Sequence, residues 1–199
     1  MVKVTDGVGN IYDCNIIEIN KNSTNLNINN SKQIKLISPS LKIGICLTKK
    51  TERFEWFLEK ATEIGVAEIT PIISQYSEKT NLNFNRSYKI MISAMKQSLR
   101  FHLPKLNKPT NFTQFIEIKY KHKNNFIASC KNNNLKLFQK IIKKSQDVNI
   151  LIGPEGGFSE FEIDLAKKAN FTPVSLGENR LRTETAGLAS CMIFSFVNN

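Results

Sequence analysis

Residues 149–158 read Asn149-Ile150-Leu151-Ile152-Gly153-Pro154-Glu155-Gly156-Gly157-Phe158, an unbroken apolar run that stops on a turn holding three glycines. An apolar run without alternation is what a strand buried on both faces of a parallel sheet requires. Glycines after it permit strained turn geometry or close approach of a ligand to the backbone. In such sheets ligands bind at the carboxyl ends of strands, which is where this turn falls. It has neither the GxGxxG spacing of a dinucleotide fold nor the GK[ST] ending of a phosphate loop, so alone it fits a plain tight turn equally well.

The pattern on either side alternates strand and helix. Ser159 and Glu162 have capping-box spacing and open a helix to Ala169, followed by a strand over Thr172–Leu176, then Gly177 and a last helix from about Thr183. Upstream, Ile43–Leu47 and Glu68–Ile73 predict two strands. Between them Thr51 is placed to cap a helix carrying Phe54, Phe57, Leu58, Ala61 and Ile64, with Gly65 as its stop. The spacing also predicts a helix with Tyr88, Ile92, Met95 and Leu99 on one face, a strand over Phe126–Ser129, and a basic amphipathic helix around Leu135–Lys144. Trp56 and its Phe neighbours read as core. The alternation points to an α/β fold with a mostly parallel sheet.

The first forty residues differ in texture. Short alternating runs such as Ile11–Ile17 and Leu26–Ile28, separated by Gly and Asn turns, predict two or three strands ending at a boundary near Ser38-Pro39-Ser40. Three strands cannot close a barrel, so this piece has to pair with the rest of the chain, with a partner, or with a portion upstream of Met1.

A chain of 199 residues buries a substantial core unaided, which excludes a disulfide-stapled miniprotein. Lys plus Arg number 28 against 17 Asp plus Glu, a net charge of +11, and a polyanion is the natural partner. A codon bias towards Lys and Asn, visible at Asn132-Asn133-Asn134, accounts for the same excess without any partner. Cys14, Cys46, Cys130 and Cys191 are far apart and have no His at ligand spacing, so they read as reduced, mostly buried thiols, with no metal site. Neither a signal peptide nor a membrane span is legible, because the apolar stretch Ala186–Val197 is interrupted by Ser190 and Ser195; a cytoplasmic protein is expected.

A second loop stands out at Leu176-Gly177-Glu178-Asn179-Arg180-Leu181-Arg182-Thr183-Glu184-Thr185-Ala186-Gly187. Glu184 suits the positive end of a helix, whereas arginines gain nothing there and point to an anionic ligand or acidic partner. These eleven residues to Ala186, together with Leu151–Phe158 and Glu59–Val66, resemble the 16S ribosomal RNA uracil-N3 methyltransferase family of the SPOUT class, known as RsmE. The resemblance covers roughly Leu41 to Val197, and Gln97, Ser98, Arg100 and Pro104 also fit its pattern.

That resemblance implies methyl transfer from S-adenosylmethionine to N3 of one uridine in the decoding region of the small ribosomal subunit, with no metal. It implies a homodimer and a SPOUT-type fold, a parallel sheet flanked by helices with a deep C-terminal trefoil knot, over residues 39–199. Residues 1–38 then read as an incomplete PUA-like β-barrel, an RNA-binding remnant, with Asp6–Asn10 as a hairpin of it. Cofactor contact is carried over to Ile152, Gly153, Gly156, Leu176, Gly177, Leu181, Arg182, Thr185 and Ala186. Tyr76 stands where the family pattern has Arg, and Lys96 where it has Glu.

Alkylating a uracil nitrogen requires loss of the N3 proton, so the chain must position, deprotonate and stabilise an anion. Arg182 is the candidate for holding the uracil oxygens, and Glu184 or Glu155 for the base. Arg100, Lys105, Lys108 and Arg180, with Lys119, Lys121, Lys123 and Lys131, are candidates for tracking RNA phosphates. His102 and His122 have no hydrolytic arrangement around them. The rival readings are a non-catalytic RNA-binding relative and a SPOUT methyltransferase acting on transfer RNA.

Overall fold

The computed structural model describes residues 1–36, 38–117, 124–130 and 134–198. In chain order its elements begin with β1 (Val2–Thr5), β2 (Asn10–Ile19), β3 (Thr24–Gln33), β4 (Leu41–Cys46), α1 (Thr51–Ile64), β5 (Glu68–Ile73) and α2 (Phe84–Gln97). They continue with β6 (Lys105–Leu106), β7 (Thr110–Asn111), α3 (Phe112–Glu117), β8 (Asn125–Ala128) and α4 (Phe138–Ile141). The last four are β9 (Val148–Ile152), α5 (Glu160–Lys168), β10 (Phe171–Val174) and α6 (Thr183–Asn198).

Seven strands form a parallel sheet in the order β10-β8-β9-β4-β5-β6, with β7 also paired to β5. Both faces of β4 and β9 are covered, which is why they read as unbroken apolar runs. On one face Ile43, Ile45, Ile150 and Ile152 pack with Phe54, Phe57, Leu58 and Ala61 of α1 and with Cys191 of α6. On the other, Cys46, Ile72, Ile127 and Leu151 meet Phe112, Phe115, Phe158, Ala166 and Phe171. The α/β class and the parallel sheet agree with the sequence reading.

β4 and β9 are neighbours, yet the chain leaves β4 towards β5 and leaves β9 towards the opposite edge of the sheet at β10. Loops that diverge in this way open a crevice above the carboxyl ends of the two strands. α6 then returns from that edge to pack on α1, β4 and β9. Its approach depends on Gly187: a Cβ there would lie 2.6 Å from Phe57 Cε2 and 2.8 Å from Ile45 Cδ1.

The first three strands form an antiparallel sheet. Its partner is the chain itself. Gly9 N–H donates to Phe101 O and Leu103 N–H to Gly7 O, both at 2.8 Å, so the Asp6–Asn10 hairpin turn docks on the segment after α2. Asp6 Oδ1 braces that turn by accepting from Val8 N–H at 2.9 Å and Asn10 N–H at 3.1 Å. Ile17, Ile19 and Ile28 are left exposed on this sheet.

The signals at helix ends hold at the start of α5 and the end of α1 and fail at the start of α1. The capping box of Ser159 and Glu162 is formed, and Gly65 ends α1 in the left-handed region with φ 101°. Thr51, expected to cap α1, is instead its first residue; Lys50 is the N-cap without a side-chain bond, and the Thr51 hydroxyl accepts from Lys79 Nζ.

Five further expectations are corrected. Trp56 is 42% exposed, because the inward stripe of α1 runs through Phe54, Phe57, Leu58 and Ala61 and position 56 falls off it. α2 buries Ser87, Met91, Ala94 and Met95, a face rotated from the one predicted, and leaves Tyr88 and Ile92 exposed. Leu99 is outside α2 at φ 54°, where Arg100 N–H donates to Met95 O and Leu99 N–H to Lys96 O, the pairing of a Schellman end. The helix expected around Leu135–Lys144 is only the single turn α4: Ser175 N–H donates to Lys136 O and Phe138 N–H to Ser175 O, so the loop after β10 holds this stretch extended. The last strand, Phe171–Val174, overlaps the predicted Thr172–Leu176, starting one residue and ending two residues earlier.

Candidate functional site at the carboxyl ends of the central strands

Four chain segments meet above the sheet: 47–50 after β4, 74–77 after β5, 153–159 after β9 and 175–183 after β10. Their joints are polar and specific. Thr183 Oγ1, at the start of α6, donates to Gly153 O at 2.9 Å, clasping the two loops singled out in the sequence. Lys49 N–H lies 3.4 Å from Glu155 Oε1, bridging the β4 and β9 loops. The buried Glu162 carboxylate accepts Gln75 N–H on Oε1 and Ser159 N–H on Oε2, both at 2.8 Å, fixing the β5 loop to the start of α5. Phe158 anchors the glycine loop from below, its ring 5.2 Å from that of Phe112.

The residues carried over for cofactor contact lie on the 153–159 and 175–183 segments or in the ends of β9 and α6 that flank them. Ile152 is fully buried at the end of β9, Ala186 is buried in the first turn of α6, and Leu176 and Leu181 pack half-buried against the same core cluster. Gly156, Gly177, Arg182 and Thr185 are exposed. A Cβ at Gly177 (φ 147°) or at Gly157 (φ 72°) would meet nothing within 4 Å, so open space adjoins the backbone at both loops. Ser175 Oγ donates to Gly177 O at 2.8 Å and accepts from Gly177 N–H at 3.2 Å, holding that backbone in place. Apolar walls, exposed backbone and adjoining free volume suit a flat, largely uncharged adenosyl group gripped by main-chain atoms.

The charged candidates separate by environment. Among the described residues, the guanidinium groups of Arg180 and Arg182 make no ion pair or hydrogen bond, and both side chains are exposed. Glu155 is exposed. Glu184 is buried: Oε1 lies 3.6 Å from Arg53 Nε, and Oε2 has no hydrogen-bond partner among the described residues. The carboxylate is in the first turn of α6, as its sequence position suggested, but it faces Arg53.

The phosphate-tracking set is dispersed. Arg100 donates from Nε to Glu63 O at 2.6 Å and from Nη2 to Ile64 O, which places its charge on the carbonyl end of α1; burial pulls its pKa down. Lys105 is exposed at 3.5 Å from Glu68, and Lys108 is exposed. Lys119, Lys121, Lys123, Lys131 and His122 lie outside the described residues. Burial pushes the Cys46 thiol, which donates to Ser74 Oγ, up to about 12, so it is held as the neutral thiol at neutral pH.

Two contacts that join these segments escaped sequence reading. Thr183 was inside the quoted motif, and the clasp it forms needed the distance to Gly153 to be known. Arg53 gave no signal beyond a place in the first turn of α1.

Comparison with known proteins bears on the same residues. Residues 37–195 match the model of a family described as an RNA methyltransferase domain. The ribosomal RNA small subunit methyltransferase E of Mesomycoplasma hyopneumoniae is 35% identical over 156 residues, covering 75% of this chain and 67% of the relative. A crystal structure of a probable rRNA methyltransferase from Porphyromonas gingivalis superposes with a TM-score of 0.92 at 37% identity, covering 99% of this chain and 84% of that one. The ribosomal RNA small subunit methyltransferase E of Neisseria gonorrhoeae, solved bound to S-adenosyl methionine, gives a TM-score of 0.88 at 26% identity, covering 99% and 83%.

Proposed function

The chain belongs to the RNA methyltransferase family that includes ribosomal RNA small subunit methyltransferase E, and on that premise we propose that it methylates 16S ribosomal RNA with S-adenosylmethionine, at N3 of one uridine in the decoding region. The observation that carries the reading is the Thr183–Gly153 clasp, which joins the glycine loop to the Arg182 loop. Bound S-adenosylmethionine supplies a sulfonium-activated methyl group. Ile152, Gly153, Gly156, Leu176, Gly177, Leu181, Thr185 and Ala186 hold it.

The remaining chemistry belongs to the chain. The target base leaves its stack, at a cost of a few kcal/mol, to reach the crevice. Arg182, exposed and without a partner among the described residues, receives the uracil oxygens and stabilises the charge that grows on them. Glu184 takes the N3 proton on Oε2, a buried acceptor with no competing donor; its environment favours it over the solvated Glu155. The +11 charge, with Arg180, Lys105 and Lys108 exposed, suits a polyanionic substrate.

Three architectural features complete the proposal. α6 is drawn through the loop after β9 as a trefoil knot, residues 1–38 belong to a PUA-like barrel ahead of a 39–199 catalytic domain, and two copies pair as the working cytoplasmic unit. The return of α6 from the sheet edge to α1 and β4 supports the first. The three-stranded antiparallel sheet supports the second. No helix among the described residues is long and apolar enough to cross a membrane.

The test is labelled methyl transfer to unmodified small subunits and to free transfer RNA, with calorimetric titration of S-adenosylmethionine. Transfer to the subunit at one uridine N3 is expected. In Arg182→Ala transfer is lost while donor affinity stays within a modest factor. Transfer to transfer RNA alone, or no donor binding at millimolar concentration, overturns the proposal.

A further inference from the structure

Tyr76 sits on the turn after β5, with 47% of its surface exposed. Singly exposed aromatic rings are ordinary on a protein surface, Trp56 at 42% among them, so what sets Tyr76 apart is its support and its neighbour. The turn beneath it is held rigid. Ser74 N–H donates to Ser77 Oγ at 3.0 Å, Ser77 N–H donates to Ser74 O at 3.1 Å, and Gln75 N–H donates to the buried Glu162 carboxylate at 2.8 Å. The ring therefore stands on a fixed backbone at small entropic cost for ordering on contact.

Its neighbour is the glycine loop. A Cβ on Gly156 would lie 3.4 Å from Tyr76 Cβ and 3.7 Å from the ring carbons Cγ and Cδ2, so the ring lies alongside the loop backbone. It flanks the crevice from the β5 side, across from the 175–183 loop, and it is not part of the Thr183–Gly153 clasp. An exposed π-face on a rigid support beside a pocket mouth is the surface on which an unstacked nucleobase settles.

We propose that Tyr76 is the stacking platform for a base of the RNA substrate at the mouth of the crevice, the flipped uridine or its immediate neighbour. The inference rests on the methyltransferase reading above and assigns it a residue for substrate affinity. Stacking on an aromatic ring is sequence-tolerant and strengthens base binding by roughly 5- to 150-fold. It acts on RNA affinity and leaves donor affinity alone. The phenol oxygen is not required, so Phe substitutes for Tyr.

The experiment compares the wild type with Tyr76→Phe, Tyr76→Leu and Tyr76→Ala. KM and kcat are measured on unmodified small subunits, donor affinity by calorimetry, and binding of a uridine dodecamer by fluorescence anisotropy. Tyr76→Phe stays within about twofold of wild type. Tyr76→Leu and Tyr76→Ala raise KM for subunits and weaken dodecamer binding about tenfold, with donor affinity unchanged. Unaltered KM and dodecamer affinity in Tyr76→Leu overturn the proposal. So does a parallel loss of donor affinity, which would make the ring a wall of the donor pocket. If the wild type transfers no methyl group, the functional reading falls, and the dodecamer ratio between wild type and Tyr76→Leu then decides the stacking role by itself.

Discussion

Arg53 of α1 and Glu184 of α6 face each other across the packed helix pair, Nε to Oε1 at 3.6 Å, while the second carboxylate oxygen is buried without a hydrogen-bond partner among the described residues. A buried carboxylate with one oxygen oriented by a cation and the other free is an acceptor waiting for a donor. Glu184→Gln keeps the shape and removes the charge. It is expected to lower kcat for RNA methylation by about 10²–10⁴-fold, the usual contribution of a positioned base. Stability falls by about 1 kcal/mol, since Arg53 stays partly solvated. Steady-state kinetics with thermal unfolding checks both, and an undiminished kcat returns the base role to Glu155.

Gly187 is the contact point at which α6 sits down on the sheet. The nearest atoms to an added methyl are Phe57 Cε2 at 2.6 Å and Ile45 Cδ1 at 2.8 Å, on side chains with no exposed surface. Gly187→Ala would raise helix propensity by roughly 1 kcal/mol at an exposed site. Here overpacking wins, and a net loss of about 1–3 kcal/mol is expected, several degrees in Tm for a chain of this size. Thermal unfolding followed by circular dichroism measures it; a Tm equal to or above wild type refutes the close contact.

The thiols give a prediction about alkali. Burial pushes Cys46 and Cys191 up to about 12, Cys14 is buried as well, and Cys130 alone is exposed. One fast-reacting thiol is expected in the native protein and four after denaturation, counted by mass spectrometry after brief alkylation. The folded pKa of the two shifted thiols exceeds the unfolded value of about 8.5. Their contribution to stability is therefore fully present below that value and is lost as pH rises from there towards 12. Urea midpoints should fall between pH 9 and pH 10, and the fall should flatten in a Cys46→Ala, Cys191→Ala double variant.

The sequence was most legible where one local rule acted alone. Glu68–Ile73 read as a strand to the residue, the Ser159–Glu162 box and Gly65 marked helix ends correctly, and Thr183 opened α6. Reading failed where a distant segment competed. Phe138 and Ile142 are buried at helical spacing, so the apolar pattern around Leu135–Lys144 is real, yet Ser175 captures the backbone there and leaves one helical turn. Leu99 continues the apolar face of α2 in sequence, but Arg100 reaches for the carbonyls of Glu63 and Ile64, and the chain turns before it. At the site, the loops were visible as motifs. Their junction was not, because the Thr183–Gly153 bond joins residues that are brought together only when β10 and α6 have been placed.

That bond makes the last helix and the pocket a single cooperative unit. A chain that has folded through β9 has the glycine loop but lacks the 175–183 loop that Thr183 clasps to it, so the junction is complete only when the C-terminal segment docks. By linkage, whatever fills the pocket holds the C-terminus down as well. A ligand bound there would act as a latch on α6 against fraying and proteolysis.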